Sequence, residues 1–271
     1  MRNQQYLFAI LCLLVGPSLH AECGNTPRDK VLKADARPRP PEMLVNEKTG
    51  ESSGPLLDVL NEAVRTIGYC VEWRIAPFPR SLAELEMGTV DLVPRLVMTD
   101  ERKRFANFLG PIAVKQTAIE FLVKRGKEDT LKSYEDLRGL TVGAKRGTAY
   151  FESFNKDTAI KRFEALDDEN LAKMFDARRV DVLIVLDRPA IEQVLRELNI
   201  SGYAWAVYKE PVQLGIYYGM SKTSRHTAIT EPLSNALKAL AKSGRVNEIY
   251  TAHHVPPPDR EAAPKAEIRA R

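Results

Sequence analysis

Short apolar runs alternate along the chain with segments whose apolar residues recur every three or four positions. Residues 31–35 and 71–75 are runs of the first kind and predict strands. The segment 54–68 between them predicts a helix with one apolar face, which ends at Gly68. A strand, a helix and a second strand in this order predict two parallel neighbouring strands.

The same alternation continues to residue 253. Further strands are expected at 90–97, 117–123, 140–144, 181–186, 203–207 and 212–220. Further helices are expected at 78–87, 148–154 and 167–177, after the strand 181–186 through Leu198, at 227–242 and at 245–253. This alternation predicts an α/β fold in which mainly parallel sheets carry helices on both faces. We expect two lobes with a cleft between them, lobe 1 formed by 22–115 and 214–255 and lobe 2 by 116–213.

Both ends of the chain depart from this pattern. Residues 1–21 combine a basic start, an apolar stretch and a small residue at Ala21, as in a secretory signal peptide. Residues 256–271 are rich in Pro, Ala and charge, and we expect them to be disordered. The signal predicts a soluble exported protein, periplasmic in a Gram-negative bacterium, and no later apolar run is long enough to span a membrane.

Removal of the signal peptide takes Cys12 with it and leaves Cys23 and Cys70. In an oxidising compartment, two remaining cysteines most simply form one disulfide. Cys23 lies shortly before the first strand and Cys70 at the start of the next, and parallel neighbours begin on the same side of a sheet. That geometry permits the bond, and two separate buried thiols are the alternative.

Charge and motifs narrow the classes of function. The formal net charge of +4 is mild, and the basic residues are interspersed with acidic ones, so we expect no nucleic-acid partner. The histidines and cysteines show no metal-ligand spacing, and the glycines at 139, 143 and 147 do not fit a dinucleotide fingerprint. We therefore expect no catalytic residue, no metal and no cofactor, although abundant Asp and Glu leave acid–base catalysis open.

The segment 88–112 carries the strongest candidate for a binding residue. Its apolar run 90–97 predicts a buried strand, and Thr99 opens a tight turn that carries Arg102. Ligands of open α/β sheets bind at the carboxyl ends of strands, and an Arg fork can grip a carboxylate with two charge-assisted hydrogen bonds. The turn predicts an anion site at Arg102, and the alternative is an ordinary surface Arg.

Five further residues stand where they could converge on the same cleft. Gly147 and Thr148 are expected at a helix N-terminus, which favours an anion, and Arg80 opens the helix 78–87. Asp187 directly follows the strand 181–186 and could hold an ammonium group. Arg95 lies inside an apolar strand and must reach either the cleft or an internal ion pair. Structural alternatives are an N-cap role for Thr148 and Asp187 and a solvated position for Arg80.

These signals occur in the order typical of one family. The chain resembles the family 3 solute-binding proteins, the periplasmic receptors for polar amino acids used by ABC importers. The resemblance rests on VLKADARPRPPEM, GPLLDVLNEA, LEMGTVDLV, MTDERKRFANFLGPI, LRGLTVGAKRGTA and RRVDVLIVLD, and it covers nearly all of the mature chain. It implies a type II periplasmic-binding-protein fold, with two hinge crossings and lobes that close around a ligand.

The resemblance also implies roles for individual residues. Arg102 matches the Arg that binds the ligand α-carboxylate, Asp187 the acidic residue that binds the α-ammonium, and Thr148 the hydroxyl residue of the second lobe. Val97 lies at the strand end whose backbone meets the ligand, where a Ser or Thr is common. Pro94 and Arg95 replace small hydroxyl residues, which argues against an ordinary neutral amino acid.

A ligand-binding function without catalysis follows from these patterns. We expect a monomer that captures a small carboxylate-bearing molecule for ABC-type import, with transporter membrane subunits as further partners. One alternative is an enzyme on the same scaffold, similar to cyclohexadienyl or arogenate dehydratase. Another is an accessory or sensor protein that serves a membrane or redox partner.

Overall fold

The structure is a computed structural model that describes residues 23–46 and 48–258. The expected signal peptide, 1–21, and the part of the expected tail beyond residue 258 lie outside the described residues. The strands of the described part are β1 Val31–Ala36, β2 Leu44–Asn46, β3 Glu51–Ser53, β4 Cys70–Ile75, β5 Leu92–Pro94, β6 Ala106–Leu109, β7 Val114–Lys124, β8 Thr141–Lys145, β9 Lys161–Ala165, β10 Val182–Val185, β11 Tyr203–Gly215 and β12 Tyr218–Ser221.

Helices lie between most of these strands. They are α1 Pro55–Thr66, α2 Phe78–Met87, α3 Asp100–Lys103, α4 Glu152–Lys156, α5 Asp168–Asp176, α6 Arg188–Glu197, α7 Thr230–Ser243 and α8 Arg245–Ala252. None of the helices in the described ranges is long and apolar enough to cross a bilayer.

Two five-stranded sheets form the two lobes. The first has the strand order β4-β1-β5-β12-β6 and the second the order β11-β7-β10-β8-β9, while β2 and β3 form a separate hairpin. In each sheet some neighbours are parallel, such as β1 with β4 and β8 with β9, and others are antiparallel, such as β12 with β5 and β7 with β10. Both sheets are therefore mixed, whereas the alternation of strands and helices along the sequence predicted mainly parallel sheets.

Amphipathic helices cover the first sheet as the sequence pattern predicts. In α1 the apolar side chains Leu56, Leu60 and Val64 are buried against the sheet, and α7 and α8 pack against α1. Pro55 fits the first turn of α1 because the first helical N–H groups need no intrahelical partner. The second lobe has its own core around Phe121, which stacks on Tyr208 with ring centroids 5.3 Å apart.

A disulfide ties the start of the chain to the first sheet. Cys23 and Cys70 are bonded with their Cα atoms 5.7 Å apart. The parallel register of β1 and β4 pairs Val31 with Cys70, so the segment before β1 runs beside the start of β4. The predicted pairing is confirmed.

Two adjacent segments connect the lobes. The chain leaves the first sheet after Leu109 and enters β7 at Val114, and it returns between Gly215 and Tyr218. The two crossings are hydrogen-bonded to each other, since the Ile112 amide donates to the Ile216 carbonyl at 3.0 Å and the Ile216 amide donates to the Ala113 carbonyl at 2.9 Å. Paired extended strands of this kind let two lobes move relative to each other while their separation at the hinge stays fixed.

Three elements differ from the sequence prediction. The strand expected at 90–97 is only Leu92–Pro94, because Pro94 cannot donate to a ladder and Arg95 takes a left-handed conformation with φ of 58°. The helix expected at 148–154 begins at Glu152 instead. The break expected between 207 and 212 is absent, and β11 runs through it with a register shift between Trp205 and Lys209.

Candidate ligand-binding site

A cavity of about 200 Å³ lies between the two lobes. Arg37, Phe78 and Arg102 line it from the first lobe, and Thr148 and Asp187 line it from the second. These residues follow the carboxyl ends of β1, β4, β5, β8 and β10, which is where open α/β sheets bind ligands. The cavity therefore has the position of a ligand site that both lobes complete.

Arg102 occupies the position that the sequence predicted. Thr99 caps α3 by accepting from the Arg102 amide at 3.2 Å, and this turn directs the side chain into the cavity. The guanidinium donates to the Val97 carbonyl at 2.8 Å and, across the cleft, to the Gly147 carbonyl at 2.5 Å. Arg102 is only 6% exposed, and this burial lowers its pKa to about 10, so the group is still charged at neutral pH.

Arg37 is a second cation of the cavity, and the sequence prediction missed it. It follows β1 directly and donates to the carbonyls of Pro94 at 3.1 Å and Arg95 at 3.3 Å. Its guanidinium lies 4.1 Å from the ring centroid of Phe78, within the range of a cation–π interaction. Burial, followed by the positive charges of Arg39 and the other nearby Arg side chains, lowers the pKa of Arg37 well below its usual value. The sequence feature that could have identified Arg37 as a site residue is its position directly after a predicted strand.

Asp187 faces the cavity, as predicted, but its carboxylate has a partner within the protein. Arg39 Nη2 lies 2.7 Å from Asp187 Oδ2, and this ion pair joins the two lobes. The side chains are 11% and 18% exposed, so the pair is shielded from bulk water. The role of Asp187 as an ammonium acceptor stays a prediction, and an ammonium group would have to compete with Arg39 for the carboxylate.

Arg95 satisfies both alternatives that its sequence position left open. It lines the cavity, and its Nε donates to Glu42 Oε2 at 3.1 Å. Glu42 also accepts from Arg39 Nε at 3.1 Å and from the Tyr250 hydroxyl at 3.2 Å. Burial alone would raise the pKa of Glu42, but the guanidinium groups of Arg95 and Arg39 outweigh it and bring the pKa to about 2. Glu42 therefore holds two cavity-lining cations in place.

Arg80 lies outside the cavity, and Thr148 lines it from a different local structure than expected. Arg80 is 63% exposed, pairs with Glu84 at 2.6 Å and is outside the lining of the cavity, so its solvated alternative is correct. Thr148 does line the cavity, but it lies in a turn, where its own amide donates to the Lys145 carbonyl. The helix α4 begins four residues later, at Glu152. The predicted helix N-terminus at Gly147 and Thr148 is wrong.

Gly147 and Val97 contribute backbone rather than side chains. Their carbonyls are the two acceptors of the Arg102 guanidinium, and Val97 also lines the cavity. Gly147 has φ of 74°, and a Cβ atom there would lie 3.2 Å from Leu82 Cδ1 of the opposite lobe. Glycine at 147 thus allows the lobes to approach closely beside Arg102.

The second lobe closes the cavity with polar and apolar groups. Lys145 Nζ lies 2.6 Å from Asp168 Oδ2, and Leu171, Ile184 and Ile191 supply apolar wall. No cluster of three or more potential metal-ligating side chains occurs within residues 23–46 and 48–258. The site is chemically suited to holding a small anion with an apolar part.

A two-lobed α/β structure with hinge crossings and an interlobe cavity that contains charged side chains defines a ligand-binding protein of the periplasmic-binding type. The sequence agrees with this class, because the model of the bacterial extracellular solute-binding proteins, family 3, matches residues 32–255. The chain belongs to that family, as the sequence motifs predicted.

Individual relatives point the same way. The chain is 26% identical over 212 residues to the probable amino-acid-binding protein YxeM of Bacillus subtilis, covering 75% of this chain and 76% of that protein. It is 27% identical over 172 residues to the L-cystine-binding protein TcyJ of Escherichia coli, covering 61% of this chain and 63% of that protein. These relatives are binding proteins, and the prediction of a binding protein instead of an enzyme is confirmed.

Solved structures show the same fold. An ancestral arginine-binding protein bound to arginine superposes with a TM-score of 0.66 at 22% identity, covering 82% of this chain and 97% of that chain. The predicted type II periplasmic-binding fold is confirmed, with the correction that its sheets are mixed.

Proposed function

We propose that this protein captures a small carboxylate-bearing molecule, an amino acid or a related carboxylate, in the interlobe cavity and presents it for ABC-type import. Arg102 of the first lobe binds the carboxylate, and Thr148 and Asp187 cover the ligand from the second lobe. The protein acts as a monomer in the periplasm, and its expected partners are the membrane subunits of an importer. The relatives named for binding amino acids and cystine support the amino-acid class.

One observation carries this proposal. Arg102 is a buried guanidinium that lines the cavity, and its hydrogen-bond partners in the described chain are two carbonyls instead of a carboxylate. A buried charge without a counterion is costly. A ligand carboxylate that pairs with Arg102 therefore gains more binding free energy than it would from an Arg at the surface. Binding across both lobes also favours the closed arrangement, since a ligand shifts a protein toward the state that it contacts best.

A ligand screen with matched variants tests the proposal. Purified wild-type protein is screened by thermal shift against amino acids and small carboxylates, and the strongest binder is then titrated by calorimetry into Arg102→Met and Arg80→Met. A charge-assisted hydrogen bond contributes roughly 1.5 to 3 kcal/mol, so Arg102→Met should bind about ten to 150 times more weakly. Arg80→Met removes a similar side chain outside the cavity and should bind as the wild type does.

Two results would contradict the proposal. One is unchanged affinity in Arg102→Met, provided that circular dichroism shows the variant to be folded. The other is a complete absence of binding by any small carboxylate to the wild-type protein.

A further inference from the structure

Two guanidinium groups in the cavity lack a carboxylate partner. Within the described ranges, no Asp or Glu oxygen lies within 4.0 Å of Arg37 or Arg102, whereas Arg39 has two carboxylate partners and Arg95 and Lys145 have one each. Arg37 and Arg102 both lie near the ring of Phe78, at 4.1 Å and 5.6 Å from its centroid. The aromatic ring offsets only part of the cost of holding these two charges away from water, since Arg102 is buried and Arg37 is partly buried.

Three of the carboxylates around the cavity already have a cationic partner. Asp187 pairs with Arg39, Asp168 pairs with Lys145, and Glu42 pairs with both Arg39 and Arg95. Asp167 is exposed and caps α5, where it accepts from the Asn170 amide at 2.7 Å. An ammonium group in the cavity would therefore either compete with Arg39 or Lys145 for a carboxylate or bind the exposed Asp167, and it would face the two unpaired Arg side chains as a like charge.

Resting on the proposed function, we infer that the ligand is a small dicarboxylate without an ammonium group, bound by Arg102 through one carboxylate and by Arg37 through the other. A ligand with a single carboxylate brings one negative charge to two guanidinium groups. A dicarboxylate neutralises both and leaves the Arg39–Asp187 and Lys145–Asp168 pairs in place.

The shape and lining of the cavity agree with such a ligand. Its volume of about 200 Å³ lies below the roughly 300–1,000 Å³ of pockets for drug-sized molecules, so the spacer between the carboxylates is short. Leu171, Ile184 and Ile191 provide apolar wall for that spacer. Arg37 is thus a specificity-determining residue, because it selects for a second negative charge.

The inference is tested with defined probes. Succinate, glutarate and adipate are titrated by calorimetry into wild type, Arg37→Met, Arg37→Lys and Arg102→Met, beside butyrate, glutamate, glutamine and inorganic phosphate. In the wild type, at least one dicarboxylate should bind tenfold or more tightly than butyrate and than either amino acid. In Arg37→Met that dicarboxylate should bind at least tenfold more weakly, while butyrate affinity changes less than threefold.

Arg37→Lys keeps the charge but loses the planar guanidinium fork. Its affinity for the dicarboxylate should lie between those of wild type and Arg37→Met, which distinguishes a lost charge from a misfolded site. Loss of binding in Arg102→Met together with wild-type behaviour of Arg37→Met would overturn this inference and leave the proposed function standing. Tighter binding of glutamine or glutamate than of succinate, glutarate and adipate would do the same. Phosphate as the tightest ligand would also overturn this inference, in favour of a compact anion. No binding by any probe or amino acid would overturn both.

Discussion

Glu42 should be a large single contributor to the stability of this protein and to its acid sensitivity. Its carboxylate lies between Arg39 and Arg95, is 15% exposed and has a pKa of about 2, against 4.5 in the unfolded chain. Each pKa unit corresponds to about 1.4 kcal/mol, so the ionised group stabilises the folded state by about 3 kcal/mol at neutral pH. Glu42→Gln keeps the shape of the side chain and removes this contribution.

The pH dependence follows from the direction of the change in pKa. Because the pKa of Glu42 is depressed on folding, its contribution is fully present above pH 4.5 and is lost as the pH falls toward 2. The free energy of unfolding is measured by urea denaturation of wild type and Glu42→Gln from pH 7 to pH 2.5. The variant should be less stable by about 3 kcal/mol at pH 7, and the difference should fall to about half at pH 3.

An exposed pair provides the control for this experiment. Glu248 pairs with Arg245 at 2.9 Å but is 65% exposed, so Glu248→Gln should change stability by less than about 1 kcal/mol. The reasoning is refuted if Glu42→Gln and Glu248→Gln behave alike, or if the difference between wild type and Glu42→Gln is independent of pH.

The remaining predictions concern the disulfide and the approach of the lobes. Replacing Cys23 and Cys70 by Ser removes a cross-link over 47 residues and should lower the free energy of unfolding by roughly 4 kcal/mol, measured by urea denaturation; an unchanged midpoint would contradict it. Gly147→Ala places a Cβ against Leu82 of the other lobe and should weaken ligand binding severalfold in calorimetry. Gly139→Ala is the control, because Gly139 also has positive φ but no neighbour within 4 Å, and equal affinities of the two variants would show that closure does not depend on this contact.

Arg102 shows how far local sequence can lead toward a site. The cap at Thr99 and the apolar run before it fix a turn at the end of a strand, and this geometry is local, so the side chain was placed correctly. Arg80 and Thr148 show the opposite. Arg80 sits at the start of a helix, but the face that it occupies points to Glu84 and solvent. Thr148 has the hydroxyl of an N-cap, but the chain makes a turn there and the helix begins later.

Arg37 is a cavity-lining cation that the sequence pattern did not identify. It precedes Pro38 in a polar stretch that resembles an ordinary connection, and nothing in that stretch shows that Pro94, Arg95 and Phe78 surround it. These contacts join residues more than forty positions apart, and they exist only because β1 lies between β4 and β5 in the first sheet.

The sequence by itself determined the family, the alternation of strands and helices, the disulfide and the position of Arg102, because periodicity, caps and cysteine spacing act within short stretches of chain. The tertiary structure decided which charges are paired. Whether Asp187 is free for an ammonium or bound to Arg39 depends on how the two lobes meet, and the surroundings of Arg37 depend on which strands lie beside β1 in the first sheet. Electrostatic pairing is set by distances across the fold, and the linear order of residues does not contain those distances.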